Sequence, residues 1–141
     1  MNKTRSKVMT IANRLVKQGP TRSIATVRAW VIVKATALRT KVKGTSYRQD
    51  VLEKLAGINP ADISVKLKRE PHNAHDSNAV AVYAALRDNR VFFFIGYLPK
   101  AVASILAPLM DKDNEPNTKA FRVTGGFNPY VSYGAALAIA V

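Results

Sequence analysis

No cysteine occurs in the 141 residues, so neither a disulfide framework nor a thiolate metal site can hold the fold, which must stand on packing alone. Apolar residues never run for the roughly 18 to 20 positions that a membrane-spanning helix needs, and the N-terminus lacks a secretory hydrophobic core. A soluble chain without a membrane partner is expected. Also missing are a Gly-x-x-x-x-Gly-Lys-Ser/Thr phosphate loop and a nucleophile elbow, which argues against nucleotide hydrolysis by this chain alone. No serine stands out as a nucleophile, and the chain has only two histidines, His72 and His75. The expected role is binding rather than catalysis, with no cofactor.

The most uneven absence is that of acid. Residues 1 to 49 hold 12 lysines and arginines and no aspartate or glutamate, whereas the remaining 10 bases face all 9 acids. The net charge of +13 is therefore almost wholly an N-terminal property. A concentrated positive field attracts a polyanion, and nucleic acid is the expected one. Mitochondrial transit peptides share an acid-free, arginine-rich start, but a second helical pattern and Trp30 speak for a retained, folded segment.

With 48% hydrophobic residues the chain can bury a proper core, and its length suits one domain plus an appendage. Val8, Ile11, Ala12, Leu15 and Val16 recur at helical spacing up to a Gly19-Pro20 stop. Ile24, Val27, Ala29, Trp30 and Val31 predict a second helix over 22 to 34. Residues 1 to 34 thus form a basic helical extension, whose short helices must dock on each other, on the rest of the chain or on a second copy. Residues 35 to 141 read as a separate β-rich domain. A strand is expected over 35 to 43, and Ser46 followed by Gln49 has the spacing of a capping box for a helix through Val51, Leu52 and Leu55. Strands follow at 63 to 67, 79 to 85 and 90 to 98, with Asp88-Asn89 as a turn and Phe92-Phe93-Phe94-Ile95 as core. Pro99 opens a helix carrying Val102, Ile105, Leu106 and Leu109, and two further strands lie around Phe121 and after Val131. Short strands with two short helices and no long parallel crossover predict an α+β fold: a small, partly open β-barrel of about six strands behind an N-terminal helical extension.

Between the strands at 63 to 67 and 79 to 85 lies Arg69-Glu-Pro-His-Asn-Ala-His-Asp-Ser-Asn78, a polar loop rich in turn-forming residues at the rim of a sheet. Two imidazoles three positions apart beside Asp76 have the look of metal ligands, which raises a metal-dependent nuclease as one alternative. Taken with Ile95-Gly-Tyr-Leu-Pro-Lys100, Gly44-Thr-Ser-Tyr47 and Met110-Asp111, however, the pattern resembles the HIRAN domain. That module binds DNA ends in helicase-like remodelling proteins and also occurs alone in bacteria and phages. The resemblance spans most of the chain after Ala35 and implies a small barrel with two helices. It also implies a pocket for the 3′ end of a single DNA strand, the cytoplasm of a bacterial or phage-infected cell as the setting, and a helicase or nuclease as partner. A docking module for such an enzyme is a second alternative.

On this resemblance Asp76 is the acid that accepts the terminal hydroxyl, and Tyr47 stacks on a terminal base. Tyr133 falls where a second aromatic contact is expected. Lys100 meets a backbone phosphate, Tyr97 supplies a hydrogen-bond donor, and Asn73 contacts the nucleotide or braces the loop. His72 and His75 depart from the asparagine and aromatic more usual in end-binding members. Ser46 stands where such members carry an arginine, so that phosphate contact is either missing or supplied by adjacent Arg48.

Overall fold

Strict alternation shapes the first sheet. In Leu38–Lys41 (β1) and Gly134–Ala140 (β6), every second residue is turned inward, as a half-buried strand requires. β6 lies between β1 and Asn117–Thr124 (β5), all antiparallel, and buries Ala135, Leu137 and Ile139. A second antiparallel sheet places Val80–Leu86 (β3) between Ile63–Arg69 (β2) and Phe93–Tyr97 (β4). The computed structural model describes residues 3–19, 21–34, 38–86, 91–112, 116–128 and 130–140, so the expected turn at Asp88-Asn89 and the start of the expected 35 to 43 strand lie outside the described residues.

The two sheets face each other across a core of Val42, Leu52, Val80, Val82, Ile95, Leu106, Phe121, Leu137 and Ile139. Each such fully buried aliphatic side chain contributes roughly 1.5 to 3 kcal/mol of transfer free energy. Among the described residues one bridge joins the sheets, between Lys43 and Tyr97: the Lys43 amide donates to the Tyr97 carbonyl (2.7 Å) and the Tyr97 amide donates back (2.8 Å). Among the described residues no ladder pairs β2 with β5, so the barrel is open on that side, as the sequence pattern implied. Gly96 permits the bridge. Its φ is +151°, and a Cβ there would lie 2.2 Å from the Lys43 carbonyl oxygen.

Among the described residues, four α-helices complete the structure. Gln49–Ala56 (α3) turns Leu52 and Leu55 into the core. Lys3–Lys17 (α1) and Arg22–Lys34 (α2) form a tight hairpin, which packs through α1 on Lys100–Asp111 (α4). α4 is apolar on two flanks: Ala103 and Leu106 face the barrel, while Ile105 and Leu109 face α1 and α2. Polar ties reinforce the joint, with Gln18 donating to Ser104 Oγ (2.7 Å) and Lys112 to Thr10 Oγ1 (3.0 Å). No helix among the described residues is long and apolar enough to cross a membrane.

Three sequence expectations need correction. The buried stripe of α2 is Ala25 and Ala29 with Trp30 at its edge, whereas Ile24 and Val27 are exposed, because small residues let α1 and α2 approach closely. Of the run Phe92 to Ile95 only Ile95 is fully buried; Phe92 precedes β4 and Phe93 is its first residue, so both stand at the strand's end, beyond the packed centre, and are exposed. The capping box does not form. Arg48 takes the N-cap of α3 without a side-chain bond, and Gln49 is drawn away to Thr45 and Tyr133.

Replacing Gly96 with alanine forces a side chain into the bridge and a disfavoured backbone angle, so Gly96→Ala should lose at least about 2 kcal/mol in urea denaturation.

Candidate nucleic-acid interface

Antiparallel pairing brings several strand ends to one rim. β2 ends where β3 begins, β4 ends beside the start of β3, and the Lys43 bridge adds the segment that follows β1. Three loops therefore meet there: residues 44–48, 70–79 and 98–100. The start of β6 joins them, since the Val42 amide donates to the Ala135 carbonyl (2.9 Å).

Gly44, in the left-handed region at φ 80°, turns the chain into a single 3-10 turn, Thr45–Tyr47. Ser46 and Arg48 are exposed, and the Tyr47 ring is 84% exposed, so no core role holds it. Arg48 lies over the Phe94 ring at 4.9 Å, and Phe94 meets Tyr97 edge-on at 5.1 Å. The guanidinium is thus stationed beside the rim by a cation–π contact.

The 70–79 loop is braced from within. Asn73 Oδ1 accepts the amides of His75 (2.9 Å) and Asp76 (3.2 Å), while its Nδ2 donates to Glu70 Oε1 (3.1 Å). Of the two roles expected for Asn73, bracing is the one this geometry displays. Asp76 is half-buried, and its Oδ1 accepts the Asn78 amide (2.9 Å), an Asx turn. His72 and His75 are exposed, and among the described residues no three histidine, aspartate or glutamate side chains converge as a metal-ligand set.

Arg69 ties the loop to α4. It donates to both carboxylate oxygens of Asp111 (3.0 and 3.2 Å) and to the Ser77 and Ala79 carbonyls. Tyr97 Oη donates to Glu70 Oε1 (3.0 Å). Burial, and then the Glu70 carboxylate that holds and repels in the same sense, push the Tyr97 phenol above its ordinary value, so it stays protonated and donating. Lys100 is exposed in the first turn of α4. Tyr133 is half-buried: Gln49 bonds both its carbonyl and its amide (2.8 Å each), and its ring lies against Gly126, where a Cβ would come within 2.0 Å of a ring carbon.

The HIRAN domain family model matches residues 36–119, more than half of the chain. The chain belongs to the HIRAN domain family. HIRAN domains are known as DNA-binding modules. Among solved structures, the HIRAN domain of human HLTF is similar at 26% identity over 73% of this chain and 74% of that one, with a TM-score of 0.45. A Lactobacillus plantarum protein is similar at 20% identity over 72% of this chain and 93% of that one, with a TM-score of 0.43. A comparison with curated proteins found no match. The HIRAN match begins after α2, so the basic hairpin lies outside it.

Sequence reading missed Arg69, Glu70 and Gln49, the struts of this rim, although two of them stand in the very stretch that carries the resemblance. It also passed over Phe127 and Tyr130, 80% and 95% exposed in the loop between β5 and β6. An aromatic pair inside a glycine- and proline-rich turn was the available signal.

Because the folded-state pKa of Tyr97 is raised, the stabilisation from its bond to Glu70 is complete below the ordinary tyrosine value of about 10 and is lost as pH rises through the folded value. Ultraviolet titration should show one phenol lagging behind the others, and Glu70→Gln should shorten that lag.

Proposed function

We propose that this chain binds single-stranded DNA and grips it at a 3′-OH end, in the rim formed by residues 44–48, 70–79 and 98–100. The observation that carries the reading is the half-buried Asp76, whose Oδ1 is fixed by the Asn78 amide, on the same rim as the solvent-facing ring of Tyr47 and the ammonium of Lys100. A carboxylate held in this way accepts a hydrogen bond from a free 3′-hydroxyl. A continuing phosphodiester or a 3′-phosphate would instead set negative against negative in a partly desolvated place.

Tyr47 supplies a π-face for the last base, whatever its identity, and Lys100 with the start of α4 supplies positive charge for the phosphate behind it. Arg48, stationed on Phe94, takes the place of the arginine that Ser46 does not provide. A protein of this kind marks an end for enzymes that act on it, so a separate helicase or nuclease is the fitting partner, in DNA repair, replication or phage DNA processing.

Labelled oligonucleotides ending in 3′-OH should bind more tightly than identical ones ending in 3′-phosphate; equal affinity would remove end recognition. Asp76→Asn is the informative variant, since it keeps the oxygen that caps Asn78 while discarding the charge, and it should shrink the discrimination without loosening the fold. Tyr47→Ala should weaken binding by about 1 to 3 kcal/mol, roughly 5- to 150-fold.

A further inference from the structure

The outer face of the β1-β6-β5 sheet is unlike an ordinary solvated surface. Along β6 its floor is Ala136 and Ala138, with Ala120 of β5 beside them, and these small side chains leave an open trough of about 510 Å³. Arg39 and Lys41 rise from β1 on one side and Arg122 from β5 on the other. Among the described residues no acid lines the trough. All three bases are exposed, and the one ion pair among the described residues, Arg69 with Asp111, lies elsewhere.

Since neighbouring strands are spaced by about 4.8 Å, the cations on β1 and β5 stand about 10 Å apart across β6. Three like charges around a shallow floor suit a polyanion laid along it. The direction of the trough indicates which polyanion. Arg39, Lys41 and Lys43 alternate on the exposed side, about 6.6 Å from one to the next, in the manner of successive phosphates on an extended strand. Lys43 pairs with Tyr97, and the chain then enters the Gly44 turn that presents Tyr47. The row of cations therefore leads from the trough to the rim.

We infer that this trough is a second nucleic-acid site: the sugar–phosphate backbone of a strand whose 3′ end sits at the rim runs back over Lys43 and Lys41 and lies between Arg39 and Arg122. The inference rests on the end-binding reading above. It assigns to sheet β1-β6-β5 the phosphate contacts upstream of the terminal nucleotides, and it makes affinity depend on strand length.

The test compares wild type with the Arg39→Gln/Lys41→Gln/Arg122→Gln variant, using a twelve-nucleotide strand and a three-nucleotide strand, each ending in 3′-OH or 3′-phosphate, over a range of salt. Circular dichroism and the melting temperature establish that the variant is folded, as expected for exposed positions. On the long strand the variant should bind more weakly, with a log affinity against log salt slope shallower by about 2, since each lost single-strand contact removes about 0.7. Its preference for 3′-OH and its affinity for the short strand should be unchanged.

A long-strand slope equal to that of wild type overturns the trough while leaving the end site standing. Absence of DNA binding by wild type overturns both. As an independent measurement on wild type, a photoreactive base placed several nucleotides from the 3′ end should crosslink to peptides containing Arg39 or Arg122. Crosslinks confined to α1 and α2, or tighter binding of polyglutamate than of the long strand at equal salt, would also overturn the proposal.

Discussion

Two hydrogen bonds between the backbones of Lys43 and Tyr97 hold this domain in its working shape. Each sheet could satisfy its internal ladder without the other, but this bridge, the one between the sheets among the described residues, sets the segment that follows β1 against the end of β4. Through it the Tyr47 turn, the Tyr97 phenol and the Glu70 loop become parts of one rim rather than features of two sheets. The bridge is possible because Gly96 has no side chain where the Lys43 carbonyl arrives. A local backbone property thus decides whether the distant loops of the sequence meet.

Acids and bases are used differently around that rim. Glu70, Asp76 and Asp111 all accept hydrogen bonds from the protein, from Tyr97 and Asn73, from the Asn78 amide, and from Arg69 respectively. They act as struts. Most of the bases nearby, Arg39, Lys41, Lys43, Arg48 and Lys100, are turned to solvent. The excess positive charge is accordingly left unneutralised on the outside of the barrel, where it adds to the attraction for a polyanion.

Much of this was legible in the sequence. Alternation of Ile63, Val65 and Leu67 revealed β2, the apolar runs over 79 to 85 and after Val131 located β3 and β6, and Gly19-Pro20 marked the break between α1 and α2. The cluster of turn-forming residues from Pro71 to Asn78 located the loop. What sequence could not convey was competition for partners across the fold. Ser46 and Gln49 have the spacing of a cap, yet Tyr133, 84 positions later, offers Gln49 both a donor and an acceptor. Composition likewise misled over Phe92 and Phe93, since hydrophobic residues are not obliged to be inside where a strand begins at the margin of the core. At the rim, residue types disclosed where chemistry would gather, but the bonds by which Asn73 braces its loop became visible only with its neighbours in place.

α4 carries apolar residues toward the barrel and toward the basic hairpin alike. The boundary between the family domain and its extension is therefore not a seam at which the molecule could be cut in the course of evolution. A lineage that discarded α1 and α2 would expose Ile105 and Leu109, and would have to repaint both with polar residues before the shortened protein remained free of self-association.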